Sequence, residues 1–351
     1  MKYSKVLKSD IDEIIADRTL FDPLKGASIL VTGATGLIGS MLVRSLHAAN
    51  EKYSLGLRIF AQIRNKRKAV DLFGSLLDSD DISPVQNMDV ICSHIVHALS
   101  PTASKYFVEN PVETIRSMVD STFEMLEVAK KNHASVVYLS SMEQYGVPYG
   151  SDTVMTEDKV GIIDHLNVRS CYPESKRLCE CICASYASEY GVDVKIARLA
   201  QTFGAGVPRS DNRMPMQFAR AVVAGKDIVL HTEGKSVVNF VYITDAITGI
   251  ITVLNKGVKS EAYNICNDCR AFTVKEIAEQ VAQSVAYNRI SVQIKTDLVG
   301  QGFAPDNTIR IDSKKIMGIG WKPMICLLDG YKRLVEYLKQ ISNDHQKEDV
   351  K

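Results

Sequence analysis

The sequence predicts an α/β fold in which a doubly wound parallel sheet carries a smaller C-terminal lobe. From residue 27 to residue 205, short apolar stretches typical of buried strands alternate with amphipathic stretches typical of helices. A glycine-rich turn joins the first of these strands to the first long helix, and the regular alternation loosens after residue 205. In sheets of this kind, ligands bind at the carboxyl ends of the strands.

The elements follow one another in the order that such a sheet requires. A polar lead-in, residues 1–26, holds one short helix, and the segment ASILVTGATGLIGSMLVRSLHAA then passes from an apolar strand through the glycine-rich turn into a helix. The strand patterns LRIFAQIRN, HIVHALS, SVVYLSS and VKIARLAQTFG come next, interspersed with the long helix patterns NPVETIRSMVDSTFEMLEVAKKN and YPESKRLCECICASYASEYG. Because strands and helices alternate, we expect a parallel sheet covered by helices on both faces.

The turn TGATGLIG has the spacing of a dinucleotide-binding loop. Its glycines permit a tight turn and a close approach of the backbone to a ligand, and the N-terminus of the following helix then faces a pyrophosphate. The strand before it and the helix after it predict a Rossmann-like, dinucleotide-binding domain at residues 27–205, to which some later segments return. The predicted cofactor-binding residues of this turn and of the HALS segment are Gly33, Thr35, Gly36, Leu37, Ile38, Gly39 and Ala98.

The end of the second strand bears on the choice between NAD and NADP. NAD sites usually place a carboxylate there to hold the ribose hydroxyls, but QIRNKRK has Ile63 and Arg64 at that point. Arg64, helped by Lys66 or Arg67, would suit a 2′-phosphate. We therefore expect NAD or NADP as the cofactor, with NADP favoured. The alternative for these cations is a solvated basic turn.

A tyrosine and a lysine open the second long helix, in YPESK. A tyrosine is a poor base at neutral pH, but Lys176 lies one helical turn after Tyr172 and its positive charge favours the phenolate. Such a tyrosine can remove a hydroxyl proton while the carbon gives a hydride to a nicotinamide, and Ser141 at a strand end would hold the same oxygen. We predict Ser141, Tyr172 and Lys176 as catalytic residues, the last two also binding the cofactor. The alternative is a tyrosine and a lysine on a helix surface.

Composition limits the remaining functions. The formal net charge of the 351 residues is +1, so no global field draws the chain to nucleic acid or to a membrane surface. No apolar run is long enough to cross a bilayer, and the N-terminus lacks the apolar core of a signal peptide. We expect a cytoplasmic protein with reduced thiols and no bound metal, because CNDC has no second pair of ligands nearby.

The chain resembles the extended short-chain dehydrogenase/reductases that modify nucleotide sugars. The resemblance covers about residues 26–340 and rests on TGATGLIG, HALS, NPVETI, LSSMEQYG, YPESK, RLAQTFG, FVYITDA and a final GW.P segment at 320–323. It implies a nucleotide-sugar substrate, transient oxidation of a sugar carbon, usually C4, and a second step before the hydride returns. It also implies a homodimer formed through a four-helix bundle to which the two long helices contribute.

Met142 bears on that second step. In the 4,6-dehydratases an Asp–Glu pair follows the threonine, whereas this chain has Met142 and Glu143, and a thioether cannot protonate a leaving hydroxyl. The UDP-glucuronate decarboxylases keep only the glutamate, and SSMEQYG, NVRSCYPESKR and DNRMPMQF resemble that branch. A 4-ketone eases loss of carbon dioxide from the neighbouring carbon, with Glu143 as a further catalytic residue that positions the substrate or handles the proton. The alternative for Glu143 is a structural carboxylate on a loop.

The substrate side departs from the family pattern. Val238 and Phe303 stand where arginines usually meet the diphosphate, and Gln201 replaces an asparagine. The lobe, mainly residues 206–340, is predicted to bind the substrate together with Ser100, Gln201 and Arg213, and residues 341–351 form a charged, disordered tail. Three interpretations stay open: a nucleotide-sugar epimerase or decarboxylase, an NADP-dependent reductase of a substrate lacking a diphosphate, and a non-catalytic dinucleotide-sensing protein.

Overall fold

The computed structural model describes residues 4–150, 154–208, 210–296 and 308–348, with the backbone alone described at 268–270 and 343–348. Seven strands form one parallel sheet in the order β11-β7-β5-β4-β1-β2-β3, which confirms the predicted fold class. These strands, numbered in chain order with the shorter ones given below, are β1 (Ser28–Thr32), β2 (Arg58–Gln62), β3 (Ile82–Val85), β4 (His94–His97), β5 (Ser135–Ser141), β7 (Val194–Leu199) and β11 (Ala262–Ile265).

Helices cover both faces of this sheet. In the described part of the chain, none of them is both long and apolar enough to cross a bilayer. The helices are α1 (Lys5–Ile14), α2 (Leu37–Tyr53), α3 (Lys66–Phe73), α4 (Ser104–Glu109), α5 (Pro111–Asn132), α6 (Cys171–Glu189), α7 (Met214–Ala224), α8 (Ile243–Lys256), α9 (Val274–Ser284), α10 (Lys314–Gly318) and α11 (Leu327–Glu348).

The central strands are apolar without alternation because both of their faces are buried. Along β1, Ile29 and Val31 pack into the core that includes α2 and α8, whereas Leu30 packs into the core under α5 and α6. The strand order reverses beside β1, with β2 and β3 on one side and β4 and the remaining strands on the other. A crevice for ligands is expected at such a reversal, outside the carboxyl ends of β1 and β4.

The later part of the chain both returns to this sheet and builds smaller ones. β11, from the segment assigned mainly to the lobe, pairs in parallel with β7 at the edge of the main sheet. The other strands form three small sheets in the orders β12-β10-β8, β13-β9 and β14-β6. They are β6 (Val154–Met155), β8 (Gln201–Phe203), β9 (Ile228–Leu230), β10 (Val237–Tyr242), β12 (Asn267–Thr273), β13 (Val292–Ile294) and β14 (Arg310–Ile311).

The first and last helices of the chain pack together. Arg333 of α11 donates to the carboxylates of Asp10 (2.9 Å) and Glu13 (2.7 Å) in α1, and the Tyr242 hydroxyl donates to Asp10 (2.7 Å). Asp10 is fully buried, and burial raises its pKa to about 6 although the hydrogen bonds from Tyr242 and Arg333 lower it. The short helix of the lead-in is therefore an integral part of the fold.

The predicted disordered tail needs a correction. α11 continues to Glu348, through most of the segment assigned to the tail from residue 341, while residues 349–351 lie outside the described residues. Tyr331, Leu334, Val335 and Leu338 anchor the helix in the core. Once packing has formed the first turns, each further turn adds hydrogen bonds at little cost, so the charged end extends the helix.

Candidate active site

The glycine-rich turn runs from β1 into α2. Gly33 has a φ of +61°, and a Cβ there would lie 2.7 Å from the carbonyl oxygen of Ala98. A Cβ on Gly39 would lie 2.4 Å from the Gly33 carbonyl oxygen, so the close packing at both positions requires glycine. Gly36 precedes α2, and no side chain caps the helix or places a negative charge in its first turn. The N-terminus of α2 therefore suits an anionic ligand.

The side chain at the end of β2 is neutral. Gln62 accepts a hydrogen bond from the Gly33 N–H through Oε1 (3.2 Å) and donates to the carbonyl of Gln86 through Nε2 (3.3 Å). Gln62 is buried beside the turn, whereas Arg64, the residue expected to select a 2′-phosphate, is exposed beyond the strand. The sequence prediction missed Gln62 because it searched this strand end for a charged group.

The polar end of β5 continues into one turn of 3-10 helix, Met142–Tyr145. The Ser141 hydroxyl caps this turn by accepting the Glu143 N–H (3.2 Å). Met142 is 7% exposed and packs into the core, while the side chain of Glu143 is 37% exposed. One turn thus directs the thioether inward and the carboxylate outward, so Glu143 is the acidic side chain that this strand end offers.

Tyr172 lies in the first turn of α6, beside Ser141. Its side chain is buried, and its ring stacks on that of Phe107 in α4 with centroids 4.4 Å apart and planes 8° apart. Burial, together with the negative charge of Glu143, raises the pKa of Tyr172 to about 12. A hydrogen bond from Ser141 and the charges of two arginines act in the opposite direction. Ser141, Glu143 and Tyr172 therefore form one electrostatic group.

Lys176 completes the group on the next turn of α6. Its Nζ donates to the Leu139 carbonyl (2.7 Å) and lies 5.8 Å from the centroid of the Tyr172 ring. Burial lowers the pKa of Lys176 to about 8, although nearby acidic groups, including Glu180, raise it. At neutral pH the lysine keeps its positive charge under the tyrosine.

The structure adds an arginine that sequence reasoning left unassigned. Arg169 Nη2 donates to Glu143 Oε2 (2.8 Å), and the guanidinium lies 4.9 Å from the centroid of the Phe107 ring that covers Tyr172. Arg169 stands three residues before Tyr172, in the short 3-10 turn that leads into α6. The position of Arg169 three residues before Tyr172, in NVRSCYPESK, was the signal that the sequence offered. The pairing of Arg169 with Glu143 joins residues 26 positions apart in the chain.

A second, buried ion pair lies behind the polar end of β5. Arg198 of β7 donates to both carboxylate oxygens of Glu180 in α6, with its shortest contact at 2.7 Å. Ser140 also donates to Glu180, and Arg198 donates to the Tyr145 hydroxyl, which in turn donates to Asn264 of β11. This network fixes α6, β5, β7 and β11 relative to one another and so sets the position of Tyr172 over Ser141.

The predicted substrate residues have separate surroundings. Arg213 donates to Asp211 through Nε (2.9 Å) and Nη2 (2.7 Å), and its charge lowers the pKa of Tyr172. Ser100 donates to a neighbouring backbone carbonyl, and Gln201 begins β8 next to β10. Arg213 is thus near enough for its charge to act on the tyrosine, whereas Ser100 and Gln201 have other residues as partners.

The diphosphate positions also differ from the family pattern. Val238 of β10 is half-buried, pairs with Phe272 and packs against the core. Phe303 lies outside the described residues. A cavity of about 700 Å³ opens between β10, β12 and β14, and its lining includes Val237 and Asn239 but none of the predicted site residues.

The residues at this sheet edge fit a dinucleotide cofactor. A Cβ at Gly33 or Gly39 would collide with backbone atoms, so the turn packs tightly, and the uncapped N-terminus of α2 provides N–H donors that suit a pyrophosphate. Lys176 and Tyr172 lie at the end of β5, two strands from β1 in the sheet. A bound nicotinamide would supply a hydride acceptor there, and the tyrosine, serine and lysine are the residue types that would supply a base, a hydrogen bond and a positive charge.

Curated relatives align with most of the length of this chain. It is 27% identical over 318 residues to UDP-glucuronic acid decarboxylase 1 of Danio rerio, covering 89% of this chain and 72% of that protein. It is 29% identical over 313 residues to UDP-glucuronic acid decarboxylase 6 of Arabidopsis thaliana, covering 88% of both.

Solved structures share its fold. UDP-glucuronic acid 4-epimerase of Bacillus cereus, in complex with UDP-glucuronic acid and NAD, superposes with a TM-score of 0.74 at 19% identity, covering 90% of this chain and 99% of that one. The dTDP-glucose 4,6-dehydratase of Bacillus anthracis, in complex with NAD, gives a TM-score of 0.73 at 21% identity, with coverages of 90% and 98%. Both structures hold NAD, so the expected preference for NADP finds no support.

The family assignment rests on a match over most of the chain. The model of the NAD-dependent epimerase/dehydratase family matches residues 29–266. That span contains the glycine turn, the polar end of β5 and the first turns of α6. The resemblance to extended short-chain dehydrogenase/reductases is confirmed: the chain belongs to the NAD-dependent epimerase/dehydratase family and is an enzyme of that group.

Proposed function

We propose that this enzyme modifies a nucleotide sugar through a transient keto-sugar, and that its reaction is the NAD-dependent decarboxylation of UDP-glucuronate. The observation that carries the proposal is the grouping of Ser141, Glu143, Tyr172 and Lys176 at the end of β5, with Met142 turned into the core. One acidic side chain beside the tyrosine suits decarboxylation, which needs no protonation of a leaving hydroxyl. The curated relatives support the same reaction by their names.

In the proposed reaction Tyr172, Ser141 and Glu143 each have a separate role. Tyr172 takes the proton of the sugar 4-hydroxyl while Ser141 holds that oxygen; what NAD would supply when bound is a hydride acceptor for C4. The bond from C5 to the carboxylate then breaks and carbon dioxide leaves. The electron pair of that bond enters the enolate of the C4 ketone. Glu143 would position the sugar or transfer to C5 the proton, drawn from solvent, that takes the place of the lost carboxylate. Return of the hydride to C4 and of the proton from Tyr172 restores both groups.

The charge of Lys176 is what makes Tyr172 a usable base. In the ligand-free protein the pKa of Tyr172 is raised to about 12, so a small fraction of the phenol is ionised at neutral pH. The protonated lysine beneath the ring stabilises the phenolate, and the positive charge of a bound oxidised nicotinamide adds to it. Loss of the Lys176 proton above its pKa of about 8 removes that support.

The reaction can be tested by its products. Purified protein is incubated with NAD and UDP-glucuronate, and the sugar is followed by proton NMR while released carbon dioxide is trapped. A UDP-pentose formed with an equal amount of carbon dioxide supports the proposal. A 4-epimer formed without carbon dioxide assigns the chain to the epimerases instead, and equal conversion by Tyr172→Phe contradicts the mechanism.

Two observations favour other functions. Val238 offers no charge to a diphosphate, as in a reductase of a substrate that lacks one. Val238 and Gln201 depart from the family pattern at substrate positions, as in a protein that binds a dinucleotide without turnover. Thermal stabilisation by NAD but by no nucleoside diphosphate would favour these functions, because a ligand at about 100 times its dissociation constant stabilises by about 2.7 kcal/mol.

We also infer that the enzyme is a homodimer formed through α5 and α6. Val112, Ile115 and Phe123 of α5 and Leu178 of α6 are all more than 40% exposed, on two helices that pack against each other. A four-helix bundle with a second copy would cover these apolar side chains. Sedimentation equilibrium tests this, with Leu178→Glu expected to shift a dimer toward monomer.

A further inference from the structure

We propose that Arg169 is the specificity-determining residue for an acidic sugar: its guanidinium receives the carboxylate of the nucleotide-sugar substrate by exchanging it for Glu143. The inference rests on the proposed function, because it defines the substrate class of the same site. It predicts that the enzyme prefers a uronate over the corresponding neutral sugar, and that this preference resides in one side chain.

Position is the first argument. The 3-10 turn Val168–Ser170 leads directly into α6, so Arg169 is held one turn before Tyr172. Its guanidinium carbon lies 4.9 Å from the centroid of the Phe107 ring, and that ring stacks on Tyr172. Its positive charge reaches the tyrosine hydroxyl, because it lowers the pKa of Tyr172. A sugar whose hydroxyl meets Tyr172 therefore has this cation within reach.

The second argument is unused hydrogen-bonding capacity. A guanidinium carries five N–H donors. Arg169 Nη2 donates to Glu143 (2.8 Å) and, weakly, to Ser104 (3.5 Å), while Nε is buried without an acceptor among the described residues. A buried donor without an acceptor is unfavourable, and a carboxylate can take two N–H groups of one arginine side by side. A substrate carboxylate would satisfy the donor that the protein leaves unpaired.

Two neighbouring arginines lack this capacity. Arg213 forms a fork on Asp211 and donates to the Thr202 carbonyl. Arg177, on the same helix as Tyr172, donates to three backbone carbonyls that hold the loop after β5. Among these three described arginines, Arg169 alone is paired with a carboxylate of the reacting group.

Charge is the third argument. Glu143 without a cation would repel a substrate carboxylate arriving beside Tyr172, whereas a neutral sugar would be indifferent to it. Arg169 offsets that repulsion in the free enzyme. When the substrate carboxylate takes over the guanidinium, Glu143 loses its partner and becomes available for the proton transfer assigned to it above. Binding of the substrate carboxylate to Arg169 and release of Glu143 from Arg169 then occur together.

The experiment compares binding of UDP-glucuronate, UDP-glucose and UDP by calorimetry to the NAD-loaded wild type, Arg169→Gln and Arg169→Lys. We expect the wild type to prefer UDP-glucuronate over UDP-glucose. Arg169→Gln should lose about 10- to 100-fold in affinity for UDP-glucuronate while its affinity for UDP and UDP-glucose changes less than about 3-fold. Arg169→Lys should restore part of the loss, because it keeps the charge without the planar fork. Arg58→Gln, at the opposite end of the sheet, is the matched control.

A double variant separates direct binding from relief of repulsion. If Arg169 acts only by neutralising Glu143, then Glu143→Gln/Arg169→Gln regains the preference for UDP-glucuronate, and the inference is wrong. If Arg169 holds the carboxylate itself, the double variant stays unselective while Glu143→Gln alone keeps the preference. A preference unchanged in Arg169→Gln overturns the inference and leaves the proposed function intact. A wild type that binds no UDP-sugar overturns both.

Discussion

Two arginine–glutamate pairs flank the same serine pair, and they differ in burial and in hydrogen bonding. Arg198 and Glu180 are each 10% exposed and joined by three hydrogen bonds, and their remaining polar atoms are engaged by Ser140 and Tyr145. The side chains of Arg169 and Glu143 are 17% and 37% exposed and are joined by one hydrogen bond.

The difference in burial and hydrogen bonding distinguishes a pair that holds the fold together from a pair that is available to a ligand. A buried pair whose every atom is satisfied is costly to break, so it holds the elements that carry it in one arrangement. A half-exposed pair with a single hydrogen bond contributes little to stability, so its partners can be exchanged for a ligand at small cost. The same two residue types thus position the helix on one side of β5 and remain available to a substrate on the other.

The largest expected effect comes from breaking the buried pair. Arg198→Met leaves the Glu180 carboxylate buried without its partner, and we expect a loss of about 3–5 kcal/mol in the free energy of unfolding. Urea unfolding measures it. The double variant Glu180→Met/Arg198→Met should lose less than the single one, because no unpaired charge remains. A loss below about 1 kcal/mol in Arg198→Met would remove the contrast between the two pairs.

The next effect concerns turnover. Tyr172→Phe keeps the ring that stacks on Phe107 but removes the hydroxyl that exchanges the proton. We expect kcat to fall by about 100- to 10,000-fold with little change in unfolding free energy. Tyr186→Phe, further along the same helix, is the matched control and should keep most of the activity. Equal losses in both variants would mean that α6 tolerates neither change for structural reasons.

A smaller effect is expected from breaking the partly exposed pair, Arg169 and Glu143. Arg169→Gln should lower the free energy of unfolding by less than about 1 kcal/mol, because the pair is partly solvated. The measurement is the same urea titration as for Arg198→Met, in the absence of nucleotide. Destabilisation as large as that of Arg198→Met would make Arg169 a structural residue and contradict its exchangeable role.

The smallest effect is a displacement of the pH profile. The negative charge of Glu143 raises the pKa of Tyr172, so Glu143→Gln should lower that pKa and move the acidic limb of the kcat profile to lower pH. The basic limb should move less, because Glu143 is the weakest of the four titratable groups that raise the pKa of Lys176, which is about 8. An acidic limb that moves to higher pH would show that the tyrosine does not sense this carboxylate.

Local patterns in the sequence predict the frame of the molecule well. Apolar runs and amphipathic helices depend on neighbours in the chain, so they predict the parallel sheet and the glycine turn. They also predict that Ser141 ends a strand and that Tyr172 and Lys176 begin a helix. The NADP preference was read from Arg64, but the side chain that faces the turn is Gln62. A strand end shows which residues come last and not which one points at the ligand.

Long-range side-chain pairing is what the sequence could not predict. Arg198 and Glu180 are 18 residues apart, and the Tyr145 and Asn264 side chains that complete their network are 119 apart. Nothing in periodicity or propensity links such positions. The pairing of Arg169 with Glu143 could not be predicted for a related reason. Arg169 lies on an irregular turn, and the direction of that turn depends on how α4 and α6 pack.

The contact between α1 and α11 implies an order of events during synthesis. Arg333 is made 323 residues after Asp10, so at about 5–20 residues per second the first helix waits about 16–65 s for its partner. Throughout that interval the apolar side chains Leu7 and Ile11 lack the helix that helps to cover them. We therefore expect α1 to reach its final packing only after α11 has left the ribosome.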